Sequence, residues 1–346
     1  MNDLRKGFAG RVVRWQETHG RSGLPWQQTR DPYRVWLSEV MLQQTQVATV
    51  LGYYERFLER FPDVRSLAQA SIDDVFALWS GLGYYSRARN LHRCAQDVVA
   101  LHSGEFPRTA AQLQMLPGIG RSTAAAIASF CFGERVAILD GNVKRVLARV
   151  LAFEDDLARA SNQEKLWTHA QALLPASNLH ETMPRYTQGL MDLGATVCLA
   201  RNPSCLICPV HEQCAAFKLG EPEKFPFKTR KLKRSSQSLW LLLARSGKGR
   251  IWLEKRPDSG IWAGLYCLPV FESLESLVTT VNPGEDGLQD GAPFVHVLTH
   301  KDLYLHPVSG EVSPAQLAGR QGAWFAPVDW PKLGLPAPVR KLLETQ

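Results

Sequence analysis

The hydrophobic period changes once along this chain, and that change bounds the fold more tightly than any other feature. Up to about residue 215, apolar residues recur at helical spacing. In "GNVKRVLARVLAF", Val143, Val146, Leu147, Val150 and Leu151 fall at i, i+3, i+4, i+7 and i+8, one face of an amphipathic helix. Strand-like alternation is absent from this half. After about residue 237, "SLWLLLA", "SGKG" and "RIWLEKR" read as strand, glycine turn and strand. Between the halves, "KLGEPEKFPFKTRKLKRSS" carries two prolines and seven Lys or Arg against two Glu, the composition of a linker. At 346 residues a single core is at its limit, so two domains are expected: 1–217 all-α, 218–236 basic linker, 237–346 α+β.

Four of the seven cysteines fall in one short stretch, "CLARNPSCLICPVHEQC". Cys198, Cys205, Cys208 and Cys214 are spaced C-x6-C-x2-C-x5-C, a more compact pattern than the paired knuckles of a zinc ribbon. "MNDLRKGFAG" has no apolar leader, and no apolar run approaches the roughly 20 residues of a membrane span. A reducing, cytoplasmic setting is therefore expected, where such a cluster binds metal more often than it forms disulfides. Iron–sulfur and zinc both remain open on spacing. Pro203 and Pro209 stiffen the loop. Cys94, Cys131 and Cys267 stand alone in apolar runs and are expected to pack as small hydrophobes.

The net charge of +7 suits a polyanionic partner, and also an ordinary basic enzyme. In "TAAQLQMLPGIGRSTAAAIASF", Thr109 can cap a short helix that Leu116 closes. "PGIG" is then a tight turn in which Gly118 and Gly120 are free to take positive φ, followed by a helix from near Ser122. Such a turn offers backbone N–H groups to a phosphate, or is simply a packing corner. Asp140 heads the Val143–Leu151 helix as a favoured N-cap, with Lys144 and Arg145 one turn on. Glu39, Gln43 and Gln46 are spaced to share one helical face, against an apolar face of Leu37, Val40, Met41 and Val47. A Glu among apolar neighbours has the raised pKa that a general acid needs, although an exposed polar stripe reads the same way. "GLGYYSRARN" places Tyr84 and Tyr85 beside Arg87 and Arg89, suited to a base stack next to a backbone or to an ordinary helix start.

"LSEVMLQQTQV", "GLGYYSRARNL", "LPGIGRSTA", "ILDGNVKRVLAR", "MDLGATVC" and the cysteine loop, in this order, resemble the MutY family of adenine DNA glycosylases, within the helix–hairpin–helix superfamily that includes endonuclease III. The resemblance covers nearly all of residues 5 to 220 and, more loosely, 237 to 346, where "WLEKRPDSGIWAGLYCLPVFESLESL" is similar to the entry of a Nudix fold. It implies an all-α helix–hairpin–helix glycosylase with an iron–sulfur loop, followed by an α+β Nudix-like domain. It also implies one 4Fe-4S cluster on the four cysteines, and excision of adenine mispaired with 8-oxoguanine or guanine after flipping from the duplex. Glu39 then matches the general acid, Asp140 the stabiliser of an oxocarbenium-like sugar, and Asn142 a hydrogen-bond partner of Asp140. Trp26, Gln27, Leu42, Val47 and Gln188 match the adenine pocket. Gln44, Thr45, Leu82 and Tyr84 match residues that probe the opposite base and wedge the stack. Gly118, Gly120, Ser122 and Lys144 match a backbone grip, and Leu298, Thr299 and His300 the 8-oxoguanine loop.

A lyase of the endonuclease III type wants a nucleophilic Lys where this chain has Ser122, so a monofunctional enzyme is expected. The cluster of Glu and Arg with which a Nudix hydrolase holds magnesium is missing, with only Glu272 and Glu275 present, so metal-dependent hydrolysis is not expected. The resemblance implies a monomer on double-stranded DNA, with no membrane association.

Overall fold

The computed structural model describes residues 7–229, 234–282 and 287–345. Residues 230–233 of the expected linker lie outside them. The chain packs as two compact units: Met1–Val50, Phe61–Ala68 and Arg93–Arg230 in the first, and Leu51–Arg60, Gln69–His92 and Lys231–Gln346 in the second.

The first unit is helical. Its core joins the Phe8–His19, Gly141–Val150 and Leu179–Thr196 helices through Phe8, Val12, Val146, Leu147, Met183 and Leu190. The Gly141–Val150 helix buries Val143, Val146, Leu147 and Val150, the face that the sequence period predicts. Thr109 caps a short Ala110–Leu113 helix, accepting from Gln112 N–H. At the following turn only Gly118 has a positive φ, 75°. Gly120 has φ −81° and serves as N-cap of the Arg121–Phe132 helix, so the turn uses the freedom of one of its two glycines. Residues 225–229 are packed on this unit. Phe225 is buried, and Leu157 N–H donates to Phe227 O at 3.0 Å.

The expected face of Glu39, Gln43 and Gln46 on one helix does not form. The Pro32–Leu42 helix stops at Gln43, Gln44 turns left-handed with φ 59°, and a new helix runs Val47–Arg60. A non-glycine residue at positive φ ends the i→i+4 ladder there.

In the second unit, β1 (Ser235–Arg245), β2 (Ile251–Lys255), β3 (Tyr266–Cys267), β4 (Val270–Phe271), β5 (Gln289–Asp290), β6 (Phe294–Val297), β7 (Lys301–Glu311) and β8 (Gly322–Phe325) form one mixed sheet in the order β3-β2-β1-β7-β5. β4, β6 and β8 add to β1, β7 and β2. β1 runs parallel to β7 in continuous register from Ser235↔Lys301 to Arg245↔Glu311. Pro307 in β7 has no N–H to give, and it falls between the segment paired with β6 and the segment paired with β5. Leu241, Leu243, Leu253, Leu303 and Leu305 fill one face of the sheet. The Ile72–Trp79 region packs in this unit: Tyr85 Oη donates to Leu335 O at 2.9 Å, Arg340 Nε to Ser80 Oγ at 3.0 Å, and Lys255 pairs with Asp73 at 2.7 Å.

Candidate active site and cysteine loop

Glu39 lies in the last turn of the Pro32–Leu42 helix, on the side opposite its buried residues Leu37, Val40 and Met41. It borders a cavity of about 280 Å³ lined also by Trp26, Gln27, Leu42, Val47 and Gln188. All five residues matched to the adenine pocket therefore share one cavity with Glu39. Its size is at the low end for a small-ligand site, enough for one flat base. Val47 reaches it from the helix beyond the Gln43–Gln46 break, so that break brings Val47 to the pocket.

A wider cavity of about 880 Å³ is lined by Glu39 and Asp140 together, and by Gln44, Thr45, Ser122 and Asn142. Burial, and secondarily the Asp140 carboxylate, push Glu39 from 4.5 up to about 7. Glu39 keeps some exposure to the cavity, so this burial is by surrounding protein on most sides, not complete sealing from solvent. Asp140 is the N-cap of the Gly141–Val150 helix and accepts from Val143 N–H at 2.7 Å. Burial raises its pKa, against the backbone N–H groups of Val143 and Asn142 and the charges of Arg145 and Lys144, which lower it. N-cap and carboxylate at the cavity are one and the same arrangement. The Asn142 side chain accepts from Arg145 Nη2 at 2.9 Å, so its contact to Asp140 runs through its backbone N–H.

Ser122 Oγ accepts from Leu139 N–H at 3.3 Å, and Lys144 Nζ donates to Gln163 Oε1 at 2.8 Å. Gln188 Nε2 donates to Asp192 Oδ1 at 2.8 Å, and Arg21 pairs with the same carboxylate at 2.6 Å. Asp192 is buried at 1% exposure, and the sequence reading missed it. Its place four residues after Gln188 on a helix was the available signal. Gln27 Oε1 accepts from Leu24 N–H at 3.3 Å, while its Nε2 is buried without a hydrogen-bond partner in the structure.

Leu82 is buried and Tyr84 is exposed, with φ 49°. Both are in the second unit. Of the two readings of Arg87 and Arg89, a backbone contact or an ordinary helix start, the structure favours the second: Arg87 donates to Leu82 O and Gly83 O, and Arg89 to Ala263 O. Leu298, Thr299 and His300 form the β6–β7 turn, closed by Leu298 N–H to Lys301 O at 2.8 Å and by Ser235 N–H to His300 O at 3.1 Å.

The four clustered cysteines line one small, mostly apolar cavity with Val146, Val197 and Val210. Burial pushes the Cys208 thiol up to about 12, and the thiols of Cys198, Cys214 and Cys205 push it in the same direction. Cys214 is buried and the other three are half-buried, and four thiols gathered on one apolar cavity suit a cationic centre, which would favour their thiolate forms. Arg149, 2% exposed, donates from Nη1 to Cys198 Sγ at 3.3 Å and otherwise to the carbonyls of Leu199, Ala200 and Phe225. A buried guanidinium satisfied largely by carbonyls fits a neighbouring anionic thiolate group. Among the described residues no three His, Cys, Asp or Glu side chains converge as a site for a single ion. Cys94, Cys131 and Cys267 are buried, and burial raises all three thiols.

Residues 37–171 match the HhH-GPD superfamily of base excision DNA repair proteins, and residues 240–345 match the NUDIX domain. An adenine DNA glycosylase of Buchnera aphidicola (Acyrthosiphon pisum) is 35% identical over 343 residues, covering 97% of each chain. The human adenine DNA glycosylase is 38% identical over 315 residues, covering 76% of this chain and 57% of that one. A thermostable thymine-DNA glycosylase structure superposes with TM-score 0.55 at 27% identity, over 63% of this chain and 98% of that one. Among the described residues no helix is long and apolar enough to cross a membrane.

Proposed function

The chain belongs to the adenine DNA glycosylase family, and on that premise we propose that it removes adenine paired with 8-oxoguanine or guanine, with Glu39 and Asp140 as its catalytic pair. It is a DNA N-glycosylase of base excision repair, and DNA is its partner. The observation that carries the residue assignment is the pair of carboxylates on one cavity, one of them held near pH 7.

Adenine within a duplex is out of reach, so it must be turned out into the smaller cavity at a cost of a few kcal/mol. The unpartnered Gln27 Nε2 donor suits a ring nitrogen of the base. The Gln188 amide, with its N–H committed to Asp192, keeps Oε1 to accept from the exocyclic amine. Glu39, protonated, gives its proton to N7. The C1′–N9 bond breaks, and its electron pair leaves with the base. Asp140, ionised, stabilises the positive sugar until water adds at C1′ and returns a proton to the Glu39 carboxylate. Ser122 offers no amine, so no Schiff base forms and the backbone is not cut.

The backbone would be gripped by Gly118, Gly120, Ser122 and Lys144. Gln44, Thr45, Leu82 and Tyr84 would address the opposite base, with Leu298, Thr299 and His300 reading 8-oxoguanine. Residues 1–217 would carry excision, 218–236 connect, and 237–346 recognise the lesion. Cys198, Cys205, Cys208 and Cys214 would hold one 4Fe-4S cluster, supported by their shared cavity and the buried Arg149. When bound, that cluster supplies loop order and charge and takes no redox part in base removal.

Single-turnover kinetics test this reading. The protein should release adenine from an 8-oxoguanine:A duplex and leave a thymine glycol duplex intact. Glu39→Gln and Asp140→Asn should each lose release while still binding DNA. Full activity in both variants would overturn the assignment.

A further inference from the structure

Lys144 is joined through two hydrogen-bonded residues to a strap of basic chain. Its ammonium donates to Gln163 Oε1 at 2.8 Å. The Gln163 amide in turn donates from Nε2 to Leu157 O at 3.1 Å, and Leu157 N–H donates to Phe227 O at 3.0 Å. Lys228 is the next residue. It is fixed on both sides: the Phe225 carbonyl accepts from Arg149 Nε at 3.1 Å, and Thr229 donates to Asp156 from both its N–H and its hydroxyl. Lys228 itself is exposed.

Lys144 feels the Lys228 ammonium. Burial first, and Lys228 next, lower the pKa of Lys144, with Asp140 acting in the opposite sense. Asp140 is already engaged as an N-cap. Among the described residues neither lysine enters an ion pair. Nearby lysines are treated differently: Lys224 pairs with Glu221 at 3.0 Å and Lys165 with Asp155 at 2.8 Å. Fastening one lysine beside another costs energy that an anion recovers. Lys144 stands in the first turn of the helix that Asp140 caps, so the pair adjoins the cavity that Asp140 lines.

We propose that Lys228, strapped beside Lys144 by residues 225–229, is a second backbone cation, and that the two lysines each neutralise one phosphate of the DNA strand. This rests on the reading of Lys144 as a backbone contact. The contact reads charge only and carries no sequence information.

The test is the salt dependence of equilibrium binding to a duplex with a non-cleavable adenine analogue opposite 8-oxoguanine. Each phosphate contact contributes about 0.9 to the slope of log K against log salt. Lys228→Ala should therefore flatten the slope by about one. The wild-type-to-variant affinity ratio should shrink roughly 3.5-fold between 50 and 200 mM salt. Lys228→Arg should keep the wild-type slope, as should Lys224→Ala, whose charge is already paired. A Lys228→Ala slope equal to wild type would overturn the proposal. A wild-type protein that binds but releases no adenine from the natural duplex would instead refute the proposed function, so the two failures are told apart.

Discussion

The hydroxyl of Tyr84 lies 2.9 Å from the hydroxyl of Thr299, 215 residues further along the chain. One residue is matched to the stack wedge and the other to lesion reading, and the fold seats them on each other. The Thr299 turn is also braced from the start of β1, where Arg234 donates to Thr299 O at 3.0 Å and pairs with Asp302. The Thr299 hydroxyl is thus carried on a braced turn. 8-Oxoguanine differs from guanine at O8 and in an N7 that donates instead of accepting. A hydroxyl can serve both positions. One or two such bonds are worth roughly 1–3 kcal/mol, about 5- to 150-fold.

Thr299→Val keeps the volume and removes the hydroxyl. It should lower the excision ratio of 8-oxoguanine:A over G:A by about fivefold or more, read by single-turnover rates on the two duplexes. An unchanged ratio would move lesion reading to Gln44 and Thr45.

In the proposed mechanism Glu39 sets the pH dependence. It must carry a proton to act, and its pKa is about 7. Excision by the free enzyme should fall as pH rises through about 7 and hold steady just below it. Folding responds in the same window. A carboxyl whose pKa is raised on folding contributes stability below its unfolded value of 4.5 and loses it as pH rises through about 7. That gap corresponds to at most about 3 kcal/mol, less whatever cavity water screens. Glu39→Gln should therefore abolish excision and raise the denaturation midpoint at pH 8, with little change at pH 4. A wild-type midpoint that does not fall between pH 5 and 8 would contradict the raised pKa.

Much of this was legible along the chain, because local chemistry decides it. Asp140 caps its helix since Asp followed by Gly and Asn favours that geometry, and the Val143 to Val150 face follows from period alone. The strand, turn and strand from Ser235 to Lys255 were equally local. The break at Gln43–Gln44 was not legible. No Gly or Pro marks it, although Gln44 turns left-handed there. Which of the two turn glycines turns left-handed was not legible either, because a glycine permits a positive φ without requiring it. The buried cations were hidden as well. Arg149 looks like any arginine in "VLARVL", and only the returning cysteine loop gives its donors their carbonyls and Cys198 Sγ.

The cysteine loop should bind about four irons and four sulfides per chain, measured by iron and acid-labile sulfide analysis. Cys208→Ala should lower that content and the visible absorbance, whereas Cys267→Ala, in the second unit's core, should leave both unchanged. Arg149→Gln should also reduce retention, because it removes the charged donor to Cys198 Sγ. Stoichiometric zinc in the purified protein would exclude the iron–sulfur reading.

Gly194 is where the Leu179–Thr196 helix comes closest to the head of the Asp140 helix. A Cβ there would sit 2.7 Å from Asn142 Cβ and 3.0 Å from Asn142 O, closer than real contacts allow. These atoms belong to backbone and a β carbon, so no side-chain rotation relieves the clash, and the two helices must separate. Gly194 O also accepts from Arg145 Nη2, the guanidinium nitrogen that holds Asn142 Oδ1, so separation loosens that link too. Gly194→Ala should cost about 1–3 kcal/mol of stability, in the range of overpacked cores. It should also slow excision by up to about 100-fold, since an ångström of displacement at Asp140 is enough for that. Gly52→Ala is the matched control. Gly52 lies inside the Val47–Arg60 helix with nothing within 4 Å of its Cβ position, so alanine there should stabilise by up to about 1 kcal/mol. Urea denaturation and single-turnover excision on both variants would check the pair. A Gly194→Ala protein with wild-type stability and rate would show that the helices are not pressed together at this point, and that Asp140 is positioned without them.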